Sequence, residues 1–145
     1  FEPRTSNLYV RRTLSGEFMV INKHLQNVLS ARGLWSDALA QALIASRGSV
    51  QALDVPDDVK EVYKTVWELS QKSLIDLSAG RGPYVCQSQS LNLYLAQPTR
   101  QKLTAMHFYA WKKGLKTGSY YIRQKPKATA MQFTVEAKEC LSCSA

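Results

Sequence analysis

Two features of this sequence carry side chains whose types and spacing could do chemistry. The first is Cys140-Leu141-Ser142-Cys143, a C-x-x-C spacing that can close a disulfide or supply half of a zinc site. Zinc would need two more ligands, and only His24, His107 and Cys86 are at hand, scattered along the chain. A thioredoxin-type pair would open a helix whose dipole lowers the thiol pKa, yet only two residues follow Cys143 in this sequence. Two readings remain: a dithiol on a flexible arm that exchanges disulfides at two places in turn, or two exposed thiols without a role. The second feature is Tyr120-Tyr121. Adjacent side chains of a regular strand face opposite sides, so ordinary strand aromatics is one reading. The other is a pair of phenols that passes an electron and a proton, which requires an irregular backbone to bring the rings together. Cys86 reads as a buried small hydrophobe rather than a nucleophile. His107, between Met106 and Phe108, reads as a packed histidine, and His24 as a bystander. The sequence carries no GxGxxG, P-loop, HExxH or Ser-His-Asp spacing, so motif rules alone leave the enzyme question open.

The elements that must position these groups follow from periodicity and breakers. Leu8 to Ile21 reads as two extended runs around Ser15-Gly16-Glu17. Asn22 caps a short helix bearing Leu25, Val28 and Leu29, stopped by Gly33; a second starts at Ser36, carries Leu39, Leu43 and Ile44, and ends near Gly48. A third begins at Asp54 and Pro56, with Asp57, Asp58 and Glu61 suiting its positive end. Its stripe of Val59, Val62, Tyr63, Val66, Leu69 and Leu77 predicts one long helix up to Gly80 and Gly82-Pro83. Leu91, Leu93 and Leu95 alternate with Asn92 and Tyr94, which predicts a half-buried strand. After Pro98, residues 101–116 predict a helix with Leu103, Met106, Ala110 and Phe108 or Trp111 inward, stopped by Gly118. Ser119 to Arg123 then reads as a strand, so strand, helix and strand fit a βαβ unit with parallel strands in a larger α/β sheet. Met131 to Val135 is a last candidate strand, and the final ten residues read as a mobile tail.

Length and charge bound the setting. With 145 residues the chain is about one domain's worth, and 45% hydrophobic residues can build a core. No apolar run approaches the roughly 20 residues that span a bilayer, no signal peptide is legible, and three cysteines are too few and too odd for a secreted disulfide scaffold. The expectation is a cytoplasmic protein without membrane contact. The net charge of +8 is unevenly placed: residues 1–76 hold nine basic and nine acidic side chains, whereas residues 77–135 hold nine basic and no acidic ones. That segment invites an acidic partner. Lys112, Lys113 and Lys116 beside Tyr109 and Trp111 make a basic, aromatic helix end. Lysines there are favoured by the helix dipole anyway and no recognition motif accompanies them, so nucleic acid is set aside.

Several runs resemble one known family. Thr5-Ser6-Asn7-Leu8-Tyr9, Arg11 to Phe18, Tyr63 to Lys72, Gln87 to Asn92, Met106-His107-Phe108-Tyr109 and, above all, Gly114 to Arg123 are similar to the C-terminal part of the large subunit of class I ribonucleotide reductase, eukaryotic and viral style. The resemblance runs from Phe1 to the terminal C-x-x-C. It implies a helix-rich α/β fold: residues 1–135 as the C-terminal segment of a ten-stranded α/β barrel, and residues 136–145 as a flexible C-terminal tail. It also implies reduction of ribonucleoside diphosphates by radical chemistry. The family's roles would fall on Tyr120 and Tyr121 as the radical relay and on Cys140 and Cys143 as the dithiol that re-reduces the active site and is renewed by thioredoxin or glutaredoxin. Leu103, Met106, His107, Ala110 and Lys113 would lie on the helix that helps form the groove for the small subunit's acidic C-terminal tail. The diiron and tyrosyl radical would reside on the small subunit. The ATP and dNTP effector sites, the thiyl cysteine and the substrate site would belong to an N-terminal part preceding Phe1, without which this chain would be inactive. Cys86 stands where the family usually has Asp and Ser119 where it often has Met, and the linker to Cys140 is short, which limits the arm's reach. The competing expectation is a non-catalytic interaction module that binds the small subunit or another acidic partner.

Overall fold

Leu8–Thr13 (β1) and Gly16–Ile21 (β2) pair antiparallel, Leu8 opposite Ile21, in the computed structural model, which describes residues 2–125. This is the hairpin that the Ser-Gly turn signal predicts. Asn22 then caps α1 (Lys23–Ala31) by accepting the His24 N–H, and Ser36 caps α2 (Asp37–Ala45) by accepting the Leu39 N–H. Each cap answers one of the unpaired donors at a helix start. Leu25, Leu29 and Leu43 from these helices close over Val50, Leu53, Val55 and Val59, all buried, to make a first core.

Asn7 ties that core to the hairpin. Its backbone N–H donates to the Gly48 carbonyl at 3.1 Å, its side-chain amide to the Tyr63 carbonyl at 2.8 Å, and Asn22 donates to its Oδ1 at 3.0 Å. A buried amide with every partner supplied stabilises one arrangement. Gly48 is required at this crossing. It has φ +78°, and a Cβ there would sit 2.8 Å from the Leu8 nitrogen.

The single long helix expected from the Val59–Leu77 stripe is two: α3 (Asp57–Val62) and α4 (Gln71–Arg81). Between them the backbone is spent on tertiary bonds. The Val66 N–H donates to the Arg4 carbonyl at 2.8 Å, and the Glu68 carboxylate accepts the Thr65 N–H at 2.7 Å and the Ser49 hydroxyl. The β-branched pair Thr65-Val66 disfavours a continuous helix here, and the chain turns instead, with the Glu68 N–H donating to the Thr65 carbonyl at 3.0 Å. Val62 and Leu77, assigned to the apolar stripe, are in consequence exposed, at 74% and 62%.

Leu93–Leu95 (β3) and Ile122–Gln124 (β4) run parallel, Leu93 beside Ile122, and are joined by α5 (Arg100–Lys112). The βαβ unit is therefore present, with a shorter last strand than Ser119–Arg123 suggested. Thr99 caps α5, and Gly114 with φ +75° ends it, earlier than the predicted stop at Gly118. Val66, Leu74, Ile75, Leu91, Leu93, Tyr94 and Ala110 form a second core. Tyr94 is buried rather than turned outward, because the Gln71 side chain accepts its N–H and Trp67 packs edge-on against its ring at 5.4 Å. Phe108 and Trp111, candidates for the inward face of α5, are exposed, since Ala110 takes the close approach to the second core. The described residues thus hold two two-stranded sheets and five α-helices, a mixed α/β piece in which no barrel is closed. Among them no helix is long and apolar enough to cross a membrane.

Candidate functional site

Tyr120 and Tyr121 lie between α5 and β4, just ahead of the regular ladder. The Tyr120 N–H donates to the Leu91 carbonyl at 2.7 Å, and the Tyr121 carbonyl accepts the Leu93 N–H at 2.8 Å. Both peptides are therefore stitched to the entry of β3, while the backbone is not that of an alternating strand. The consequence is the ring contact that a regular strand forbids: centroids 4.3 Å apart with planes at 62°. Both rings are exposed, at 63% and 52%. The Arg123 guanidinium lies 5.6 Å from the Tyr121 ring centroid, a cation over an aromatic face.

A second tyrosine environment adjoins them on β3. Tyr94 donates its hydroxyl to Glu2 at 2.7 Å, and the Asn92 amide donates to the other carboxylate oxygen. Tyr94's donated hydrogen bond, ahead of Asn92's and of the nearby Arg123 charge, holds the Glu2 carboxyl below the usual range. Burial first and Glu2 second push the Tyr94 phenol up to about 12.

Of the residues expected to bind a partner on α5, Leu103 and Met106 are half-buried and His107 is exposed rather than packed. Ala110 is fully buried and offers no surface. Lys113 is engaged, 2.9 Å from the Asp76 carboxylate, which also accepts the Tyr109 hydroxyl at 2.7 Å. Lys113 first and Tyr109 second hold Asp76 below its ordinary value, and Asp76 in turn raises Lys113. The apolar surface that α5 does present is Phe108 and Trp111, in edge-to-face contact at 6.4 Å. Their i, i+3 spacing was the available signal, since it puts both on one helix face away from Ala110. Cys86 is exposed, not buried, and Lys116 donates to its carbonyl at 2.8 Å and to that of Val85 at 2.7 Å. Cys140, Cys143 and the candidate strand Met131–Val135 lie outside the described residues. Among the described residues no group of three or more His, Cys, Asp or Glu could hold a metal ion.

Comparison with known proteins gives these positions a context. A family model described as ribonucleotide reductase, barrel domain, matches residues 1–121. The ribonucleoside-diphosphate reductase large subunit of Dictyostelium discoideum is 56% identical over 137 residues, covering 94% of this chain and 16% of that protein. Its counterpart from Vaccinia virus (strain Copenhagen) is 48% identical over 154 residues, covering 99% of this chain and 20% of the relative. Among solved structures, the Actinobacillus ureae class Id ribonucleotide reductase alpha subunit superposes with a TM-score of 0.73 at 33% identity, over 86% of this chain and 22% of that one. The chain therefore spans a fifth or less of the length of these curated relatives.

Proposed function

Because the chain belongs to the ribonucleotide reductase barrel-domain family, we propose that it is the C-terminal part of a ribonucleoside-diphosphate reductase large subunit and supplies that enzyme's radical relay and dithiol shuttle. The reading is carried by one observation, the direct ring contact of Tyr120 and Tyr121 on an irregular backbone. Two phenols at a 4.3 Å centroid separation can exchange an electron without an intervening group. Their exposure leaves room for the neighbours on either side of such a relay, the small subunit that would originate the radical and the remainder of the large subunit that would use it. The Arg123 guanidinium over Tyr121 disfavours a cationic ring, so oxidation there would proceed with loss of the phenol proton.

Cys140 and Cys143 would complete the cycle. A thiolate of the pair attacks the disulfide left by each turnover, the pair itself becomes a disulfide, and thioredoxin or glutaredoxin returns it to the dithiol. The exposed Phe108–Trp111 face of α5 suits the apolar part of a small-subunit tail, with Leu103, Met106 and His107 beside it. The electrostatic share would fall to Lys112 and Arg100, since Lys113 and Lys116 are engaged internally. The substrate, effector sites and radical cofactor would lie on the other parts of the assembly.

Reconstitution with the rest of the large subunit and a small subunit tests the relay. Tyr121→Phe keeps the ring packing and removes the ionisable hydroxyl, so reductase turnover should fall at least about a thousandfold, the scale of about 4 kcal/mol. Turnover within a few-fold of wild type would overturn the relay assignment.

A further inference from the structure

We propose that Lys116 is a positioning residue for the tyrosine pair: its ammonium clamps the segment that leaves α5 to the loop that enters β3, and this clamp sets the contact between the Tyr120 and Tyr121 rings. Its purpose rests on the relay reading above; its geometry rests on hydrogen bonds alone.

Two segments meet at the pair. One runs from Gly114 to Ser119 behind α5, the other from Val85 to Leu91 ahead of β3. The Tyr120 N–H donates to the Leu91 carbonyl at 2.7 Å, so a shift of either segment against the other passes directly into the tyrosine backbone. That backbone has to stay irregular, because in a regular strand the two rings would face opposite sides. Whatever holds the segments in register therefore holds the rings in contact.

Main-chain bonds secure only the two ends of the first segment. At its start Gly114 donates to the Trp111 carbonyl at 2.9 Å and Leu115 to the Ala110 carbonyl at 3.2 Å, the close of a helix on a left-handed glycine. At its far end stands the Tyr120 bond. Residues 116–119 make no main-chain hydrogen bond to a described residue. Their tie is the Lys116 side chain, which donates to the Val85 carbonyl at 2.7 Å and to the Cys86 carbonyl at 2.8 Å. A charged donor makes these the stronger kind of hydrogen bond, and two acceptors on consecutive residues fix direction as well as distance.

Packing does not do the same work. A cavity of about 300 Å³ lies beside the clamp, with Ser78, Gln87, Lys116 and Thr117 in its wall. The Ser78 hydroxyl there is buried and has no hydrogen-bond partner among the described residues, so no side chain from residues 116–119 reaches across to it. Contact with α5 comes at Gly118, where an added Cβ would meet the His107 Nδ1 at 3.4 Å, and a glycine has no side chain with which to grip. Lys116 is thus the side chain on which the placement of this segment depends.

The test uses the reductase reconstituted with the rest of the large subunit and a small subunit, carrying fluorotyrosine in place of Tyr121 and read by fluorine NMR. Its resonance includes the ring-current shift of Tyr120, and Tyr120→Leu gives the value without that neighbour. Lys116→Met keeps the aliphatic length and removes the donors, so the resonance should move toward that value. In unlabelled enzyme kcat should fall at least about tenfold with KM for the nucleoside diphosphate unchanged, as expected of misplacement without loss of substrate binding. Lys116→Arg still donates to two carbonyls and should restore both readings. An unmoved resonance in Lys116→Met would overturn the proposal, as would a moved one with kcat intact while Tyr121→Phe is inactive. A lowered thermal unfolding midpoint that Lys116→Arg recovers without recovering the resonance would reduce Lys116 to a structural role and also overturn it. A moved resonance with Tyr121→Phe fully active would sink the relay reading and leave the clamp standing.

Discussion

Tyr94 donates a phenol hydrogen bond to a carboxylate 92 positions earlier in the chain, and the two groups shift each other in opposite directions. The raised phenol contributes stability that is complete below its ordinary value near 10 and is lost as pH climbs to about 12, because the unfolded chain ionises first. The depressed Glu2 carboxyl contributes stability that is complete above the ordinary carboxylate range and is lost as pH falls through its folded value. Tyr94→Phe should therefore flatten both limbs of the stability–pH curve and lower mid-pH stability by about 1.5–3 kcal/mol, the worth of a hydrogen bond to a charged acceptor. Urea titrations at pH 4, 7 and 11 would measure it, and unchanged curvature would refute the pairing. The proposed tyrosine relay is read at this same scale. What the sequence offered was a condition, that adjacent tyrosines meet only where the strand is irregular, and the 4.3 Å ring contact meets that condition. Cys86 went the other way: hydrophobic character said buried, but the loop after the Gly82–Tyr84 turn leaves it exposed.

At the level of elements, what was legible is what is local. Asn22, Ser36 and Thr99 each cap a helix with their own side chain within three residues, so sequence alone finds those starts. The break between α3 and α4 is not local. It depends on Arg4, Ser49 and Gln71 reaching residues 65–69 from elsewhere, and helical periodicity continues across it undisturbed. Glu68→Ala should leave the Thr65 N–H without its partner and cost about 1 kcal/mol, as loss of a cap does. The denaturation midpoint would show it, and Glu68→Gln should recover most of the loss because an amide oxygen still accepts. Asp76 plays the corresponding part between α4 and α5, holding Tyr109 and Lys113 together. Helix–strand alternation around β3, α5 and β4 was readable because crossover connections demand it. That no barrel closes within the described residues accords with the expectation that the chain is only a segment of one.

As a whole the molecule has two cores that share no residue, one around α1 and α2 and one beneath the parallel strands. Leu25→Ala and Leu93→Ala remove fully buried side chains from one core each, and each should cost about 2–5 kcal/mol. The double variant should be additive within about 0.5 kcal/mol in equilibrium denaturation, and a larger coupling would mean that the cores act as one. Beside the Ser49–Glu68 hydrogen bond, the thread of residues 2–8 joins them. Glu2 is bound on the β3 side, the Arg4 carbonyl at Val66, and Asn7 at Gly48 and Tyr63. That thread also sets a clock. A ribosome adding about 5–20 residues per second emits Glu2 on the order of 5–20 s before Tyr94. Throughout that delay the thread cannot join the halves, so the first core must hold together unaided while the second is still being made.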